Sequence, residues 1–250
     1  FSNMKKIEVY VATHKEYIFS ENHIYKPIHV GKELSSIELN ILSDNVGDNI
    51  SRLNKSFCEL TALYWMWKNS DADILGLVHY RRYFYGTFRF NKEYIFDATD
   101  LKFFNGINVI VAIKEKFYKK TTRKFFIRTK EYYSVEEQFS LNHFSKDWSK
   151  LREVIFMISS EYIESFDYVS KSTSGISLYN MFIADKEFVN MYSEWLFSIL
   201  FFMSDHVDLS EYDQYQSRLL GFLSERLLNV FIYHHRNDLN IYYRDIVMFD

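Results

Sequence analysis

Three short apolar runs of strand character occupy the first half of the chain, and polar loops or helical patterns separate them. They lie at residues 7–13, 73–79 and 107–113. The first alternates in hydrophobicity and is rich in β-branched residues, and the second is too short and too uniformly apolar for a surface helix. Strands that alternate with helices predict an α/β fold with a mostly parallel central sheet.

The remaining elements extend this pattern. Helical spacing predicts helices over 51–67, 135–162, 186–202 and 213–234, with Ser51 as a cap for the first, and a further strand over 175–184. The last third is therefore expected to be mainly helical. No linker rich in proline or glycine divides the chain, so we predict a single domain over residues 4–250. Phe1, Ser2 and Asn3 read as a vector-derived remnant before a native Met4.

Charge and cysteine content exclude several classes of protein. The 30 Lys+Arg against 33 Asp+Glu give a net charge of −3, which does not suit a nucleic-acid-binding protein, so any basic site must be local. The single cysteine, Cys58, excludes an internal disulfide and a multi-cysteine zinc site. No apolar run is long enough to span a membrane, and no signal peptide is recognisable, so we expect a cytoplasmic protein.

Common catalytic signatures are missing from the sequence. It contains no G-x-x-x-x-G-K, G-x-G-x-x-G, G-x-S-x-G or H-E-x-x-H motif, which argues against kinases, Rossmann dehydrogenases, serine hydrolases and zincins. Asp71 and Asp73 form an Asp-X-Asp pair of the kind that holds a metal against a diphosphate, but the pair precedes its strand. Ligands gather at the carboxyl ends of strands, so we interpret this pair as a solvated turn. Adjacent His234 and His235 are expected to be surface or packing residues.

The second apolar run ends in a basic and aromatic cluster. His79, Tyr80, Arg81 and Arg82 follow it directly. Arginine forms bidentate hydrogen bonds with anionic oxygens, so a phosphate is the expected partner. The alternative is that the arginines pair with acids of the polar loop at residues 44–48.

These motifs and others carry a family resemblance that covers nearly the whole chain in order, loosely only between residues 88 and 130. The blocks are VATHK at 11–15, YKPIHVG at 25–31, DNVGDNIS at 44–51, CELTALYW at 58–65, GLVHYRRYF at 76–84, YNMFI at 179–183, WLF at 195–197 and GFLSERLLN at 221–229. The chain resembles a bacterial family of capsular polysaccharide synthesis proteins, formerly a domain of unknown function. That family is grouped with GT-A-like glycosyltransferases and includes galactofuranosyltransferases of O-antigen assembly.

The resemblance implies a GT-A-like fold and a nucleotide-sugar donor, with UDP as the expected nucleotide. Carried onto this sequence, the donor site begins where the first strand ends and uses the polar loop for base and ribose and the arginines for the diphosphate. The implied donor-binding residues are Thr13, His14, Asp44, Asn45, Asp48, Asn49, Ser51, Arg52, His79, Tyr80, Arg81 and Arg82.

The acceptor side is placed in the second half of the chain. Asn180 either binds the acceptor or satisfies buried backbone groups. Arg218 is our second candidate for acceptor binding, and it lies two helical turns from Glu225 on nearly one face. Glu225 is our candidate for the general base, and the alternative is an ion pair with Arg218 or a neighbour that fixes the helix. Glu59 and Tyr64 are interpreted as packing residues.

The expected function is transfer of a hexose, galactose or galactofuranose, to a lipid-linked capsule or lipopolysaccharide glycan at the inner face of the membrane. A sugar-phosphate transferase and a non-catalytic carbohydrate-binding or scaffold subunit are the alternatives. Arg81 and Arg82 are expected to replace a metal, so no cofactor should be required and activity should persist in chelator. A role for Mg²⁺ or Mn²⁺ stays open.

One segment is strongly basic. Residues 114–130 hold eight lysines and arginines and one acid, Glu115, together with several aromatic residues. We expect a peripheral membrane contact through this segment. A loop that closes on the donor is the alternative.

Overall fold

The computed structural model describes residues 5–103 and 106–250, with the predicted remnant at residues 1–3 outside them. Its strands are β1 (Ile7–Thr13), β2 (Tyr25–His29), β3 (Leu42–Ser43), β4 (Ile74–His79), β5 (Arg82–Phe90), β6 (Glu93–Ile95), β7 (Val109–Ala112), β8 (Phe117–Lys124), β9 (Ile127–Tyr133), β10 (Phe182–Asp185), β11 (Ile241–Arg244) and β12 (Ile246–Met248). Its α-helices are α1 (Asn54–Phe57), α2 (Leu60–Asn69), α3 (Val135–Asn142), α4 (Ser145–Ile158), α5 (Ile163–Lys171), α6 (Lys186–His206) and α7 (Leu219–His234).

A mostly parallel sheet forms the centre of the molecule. Its strand order is β11-β7-β10-β4-β1-β2-β3, and β10 runs antiparallel to both of its neighbours. The pairs β1–β2, β1–β4, β2–β3 and β7–β11 are parallel. Strands β5, β6 and β12 continue the sheet beyond β4. The predicted α/β fold with helices around a mostly parallel sheet is confirmed.

Strands β1 and β4 are buried on both faces. Successive side chains of a strand point to opposite sides, so Tyr10 and Leu77 pack under the helices. Val9 and Val78 face the second layer, which contains Phe84 of β5. A strand covered on both sides must be apolar on both sides, which accounts for the continuous hydrophobic run of β4.

Two predicted elements differ from the structure. The helix expected over 51–67 is interrupted at Cys58, whose φ of 53° lies in the left-handed region, and α2 begins only at Leu60. Ser51 is not a helix cap, since its hydroxyl donates to Asp44 at 2.5 Å. The strand expected over 175–184 is shorter, because residues before Phe182 form only an isolated bridge between Ile176 and Glu115.

The histidine pair near the end of the chain is packed, as expected. Tyr162 stacks on His234 with ring centroids 3.9 Å apart, and its hydroxyl lies 2.7 Å from Nε2 of His235. Burial lowers the pKa of both imidazoles. Burial has the same effect on the pKa of His14, His29 and His143.

These pKa shifts predict that the protein loses stability in mild acid. A histidine whose folded-state pKa is depressed binds a proton more readily when the chain unfolds, so its contribution to stability disappears as the pH falls through about 6.5. Urea unfolding at pH 7 and pH 5.5 should give the lower free energy of unfolding at pH 5.5. The variant His234→Gln/His235→Gln should show a smaller difference between the two pH values. Equal stability at both would contradict this account.

Candidate functional site

A cavity of about 510 Å³ opens at the carboxyl ends of β1 and β4. It is lined by Ala12, His14, Val30, Asn54, Lys55, Cys58, Glu59, His79, Tyr80, Arg81, Arg82, Gln214 and Arg218. The structure therefore brings together six residues that the sequence assigned to a site, namely His14, His79, Tyr80, Arg81, Arg82 and Arg218.

The basic cluster is held at this edge by a tight turn. The sequence predicted a loop after β4, but β5 begins at Arg82, which pairs directly with His79. Only Tyr80 and Arg81 connect the two strands. The backbone N–H of Tyr80 donates to the carbonyl of Ala12 at 3.1 Å, so the turn is anchored to the end of β1. The two arginines thus stand at the mouth of the cavity.

Positive charge dominates the lining of the cavity. Lys55, Arg81, Arg82 and Arg218 face a single carboxylate, that of Glu59. Within the part of the chain that the structure describes, none of the four cations lies within 4.0 Å of a carboxylate. The alternative in which the arginines pair with acids of residues 44–48 is therefore not observed.

Arg82 illustrates how this charge is held. Its guanidinium carbon lies 4.2 Å from the ring centroid of Tyr179, so its flat face is supported by an aromatic ring. Its Nε is buried, and no hydrogen-bond partner for it is found among the described residues. Buried donors without a partner are rare in folded proteins, which marks this position as unusual.

Glu59 and Lys55 are charged lining residues that sequence reasoning did not assign to the site. Oε1 of Glu59 accepts a hydrogen bond of 2.7 Å from Nδ2 of Asn180 and lies 4.0 Å from Nε2 of His79. A continuous helical pattern over 51–67 places Glu59 among packing residues. The break at Cys58, which no glycine signals, instead turns Glu59 toward the cavity.

Two successive residues in left-handed conformation support this arrangement. Tyr179 and Asn180 have φ values of 74° and 55°, which is costly for residues other than glycine. The Tyr179 carbonyl lies 2.6 Å from Nε2 of His79, and the backbone N–H of Tyr179 donates to the Glu225 carboxylate at 2.8 Å. The Asn180 amide holds Glu59 and also donates to the Gly221 carbonyl at 3.1 Å. Asn180 thus lies behind Glu59 and positions it.

Glu225, predicted as the general base, is not among the residues that line the cavity. One carboxylate oxygen accepts from the Tyr179 N–H, and the other lies 3.5 Å from Nη1 of the buried Arg226. Burial raises the pKa of Glu225, while Arg226 and the Tyr179 N–H oppose that shift. The geometry matches the alternative stated from the sequence, an ion pair with a neighbour. The partner is Arg226 rather than Arg218.

The polar loop lies away from the cavity lining. Asp44 is fully buried and accepts hydrogen bonds from the Gly31 and Lys32 N–H groups and from the Ser51 and Thr61 hydroxyls, at 2.5–3.1 Å. Its oxygens hold the loop together and are not available to a ribose. The remaining loop residues also bond locally: Asn45 to Glu33, Asp48 to Tyr64, and Asn49 to Gly47 and Ser51.

Two further predicted donor residues also lie outside the lining. The Thr13 hydroxyl is buried and donates to the Lys15 carbonyl at 2.7 Å. Arg52 is exposed on a short 3₁₀ turn at Ser51–Leu53. Neither is brought to the cavity with the arginines of the β4–β5 turn.

The residues present do not fit a metal ion. Asp71 and Asp73 are exposed at the amino end of β4, the opposite edge of the sheet from the cavity. Lys6 pairs with both, through Nζ to Asp71 at 2.5 Å and through its backbone N–H to Asp73 at 2.8 Å. Among the described residues, no three His, Cys, Asp or Glu side chains converge as metal ligands. At the cavity, Glu59 and His79 stand among four cations.

Comparison with known proteins identifies relatives of the whole chain. Residues 8–237 match the family described as "Domain of unknown function (DUF4422)". Among solved structures, the apo structure of the bifunctional glycosyltransferase WbbM superposes with a TM-score of 0.81 at 26% identity, over 97% of this chain and 45% of that one. The chain thus spans less than half the length of that enzyme. No curated protein sequence matches it. No described helix is both long and apolar enough to cross a bilayer.

The position of Glu225 predicts a structural rather than a chemical phenotype. Glu225→Gln keeps an acceptor for the Tyr179 N–H but leaves Arg226 as an unpaired buried charge, so the free energy of unfolding should fall by about 3 kcal/mol. Urea unfolding measures this change, with Glu194→Gln on the exposed face of α6 as the control. Unchanged stability, with turnover lowered by about 10²-fold or more, would restore Glu225 as the base.

Proposed function

The chain belongs to the DUF4422 family, and we propose that it is a glycosyltransferase that uses a nucleoside diphosphate sugar as donor and a glycan as acceptor. The structural similarity to WbbM supports glycosyl transfer in general. The observation that carries the proposal is the cavity at the carboxyl ends of β1 and β4, whose four cations form no ion pair with a carboxylate of the described residues.

The cavity has the chemistry that a diphosphate requires. Guanidinium groups form two parallel hydrogen bonds with phosphate oxygens, and such charge-assisted bonds are about twice as strong as neutral ones. Arg81 lies in the turn between β4 and β5, Arg82 begins β5, and Arg218 lies at the start of α7. In this proposal they bind the diphosphate and stabilise its negative charge as it leaves.

Glu59 is the proposed general base. The acceptor hydroxyl oxygen forms a bond with the anomeric carbon, the bond from that carbon to the diphosphate oxygen breaks, and the hydroxyl proton passes to the Glu59 carboxylate. The hydrogen bond from Asn180 fixes the orientation of this group, and His79 lies 4.0 Å from it. A carboxylate accepts protons and hydrogen bonds but donates none, so Glu59 leaves the phosphate oxygens to the cations.

In this proposal the arginines neutralise the donor diphosphate, a task for which related enzymes use a metal ion. The aspartate pair of this chain lies at the far edge of the sheet, and the cavity brings cations to the place where such ligands would be needed. We derive no step through a metal.

The finer substrate assignment rests on the family resemblance described above. We propose a UDP-hexose donor, with galactose or galactofuranose as the sugar, and a lipid-linked glycan of capsule or lipopolysaccharide as the acceptor. An enzyme of this kind acts at the cytoplasmic face of the membrane, where nucleotide sugars are available.

Removing the arginine charges should weaken donor binding. Arg81→Met or Arg82→Met loses a charge-assisted pair worth about 1.5–3 kcal/mol, so affinity for UDP should fall about tenfold or more. Isothermal titration calorimetry measures the affinity. Arg89→Met, on an exposed part of the same strand as Arg82, is the matched control and should bind like the wild type. Wild-type affinity in both cavity variants would contradict the proposed donor site.

Glu59→Gln should separate chemistry from binding. Glutamine can still accept the hydrogen bond from Asn180 but cannot take a proton, so turnover should fall by about 10²- to 10⁴-fold. UDP affinity and thermal stability should stay close to wild type. Turnover measured with a UDP-sugar and a glycan acceptor tests this. Activity within about twofold of wild type would exclude Glu59 as the base.

A further inference from the structure

A β-hairpin projects two phenylalanines into solvent. Strands β8 and β9 pair antiparallel, and Phe125 and Phe126 form the turn between them. Phe125 is 95% exposed, Phe126 is fully exposed, and the adjacent Ile127 is 68% exposed. The basic and aromatic segment for which the sequence predicted a membrane contact thus contains a β-hairpin with an apolar tip.

The tip is not built for the stability of the hairpin. Two-residue turns favour Asn-Gly or Gly-containing sequences, because the first position requires a positive φ. Phe125 adopts a φ of 56° without being glycine or asparagine. The turn thus combines a strained backbone at Phe125 with two large aromatic side chains that are exposed to solvent. Both features cost stability, which indicates a binding role.

Unpaired positive charge surrounds this tip. Arg123 and Arg128 face each other across the strands, and Lys124 pairs with Ile127. Among the lysines and arginines of the hairpin, two have a described carboxylate within 4.0 Å, and both lie farther from the turn. They are Lys119, which pairs with Glu137, and Lys120, which pairs with Glu131. Arg123, Lys124 and Arg128, the cations nearest the phenylalanines, therefore form no ion pair with any carboxylate in residues 5–103 and 106–250.

We propose that this hairpin is a membrane-docking arm that inserts Phe125, Phe126 and Ile127 into the interface of an anionic bilayer. Apolar side chains ringed by lysine and arginine match the layered structure of such a surface, with acyl chains beneath negatively charged headgroups. The arm is separate from the cavity lining, so the proposal extends the function proposed above without depending on it.

An anionic membrane is favoured over a nucleic acid as the partner. Aromatic rings and cations also bind single strands, but there the rings form platforms on which bases stack. Here both rings and a branched aliphatic side chain protrude together at the end of an arm, which suits penetration. Binding to single-stranded DNA without binding to vesicles would overturn the proposal in favour of a nucleic acid.

Vesicle sedimentation tests the apolar tip. The wild-type protein should bind phosphatidylcholine vesicles with roughly one-third phosphatidylglycerol, and binding should weaken as salt is raised. Phe125→Ser/Phe126→Ser should lower the partition coefficient about tenfold or more. Phe156→Ser, which removes an exposed phenylalanine of α4, should bind like the wild type. No wild-type binding at low salt, or an equal loss in the control, would overturn the proposal.

A second pair of measurements tests charge and insertion. Arg123→Ser/Lys124→Ser/Arg128→Ser should also lower binding to anionic vesicles about tenfold or more, with UDP affinity unchanged. Phe125→Trp should add tryptophan fluorescence that is shifted to the blue by vesicles and quenched by brominated lipid. Binding without quenching, or binding that is equal on pure phosphatidylcholine, would overturn the insertion of the tip into an anionic surface.

Discussion

The parallel pairing of β1 and β4 determines where chemistry can occur in this protein. Val9 lies opposite Gly76, and Ala12 opposite His79, so both strands end at one edge of the sheet. The fit between the layers is tight at Gly76. A Cβ there would lie 3.0 Å from Ile183 and 3.1 Å from Val9. Because both strands are buried on both faces, their polar residues can emerge only at the ends.

At the carboxyl ends of β1 and β4, the cavity is lined by four cationic side chains and by the carboxylate of Glu59. The positive charge is therefore in excess. Like charges at short range repel one another. Inside a cavity, water screens this repulsion less than it does in bulk solvent. Arg81 is nevertheless held in the two-residue turn between β4 and β5, and Arg82, the first residue of β5, packs against Tyr179. The arrangement becomes favourable when an anion occupies the cavity. A diphosphate supplies the compact negative charge that suits it.

Sequence patterns predicted the architecture well and the site in part. Hydrophobic period and length identified β1 and β4, and the arginines that follow β4 line the cavity. The break at Cys58 could not be predicted, because a left-handed residue that is not glycine leaves no signal in composition. Glu59 was therefore missed. The role of Glu225 depends on Tyr179 and Arg226, and such long-range contacts are invisible to helical spacing.

A crystal structure of the protein with UDP bound tests the central claim most directly. The account predicts that diphosphate oxygens lie within hydrogen-bond distance of the Arg81 and Arg82 guanidiniums, at the carboxyl ends of β1 and β4, with the Glu59 carboxylate facing the space where the sugar and acceptor meet. A nucleotide bound elsewhere, or bound here with its phosphates directed away from both arginines, would contradict it.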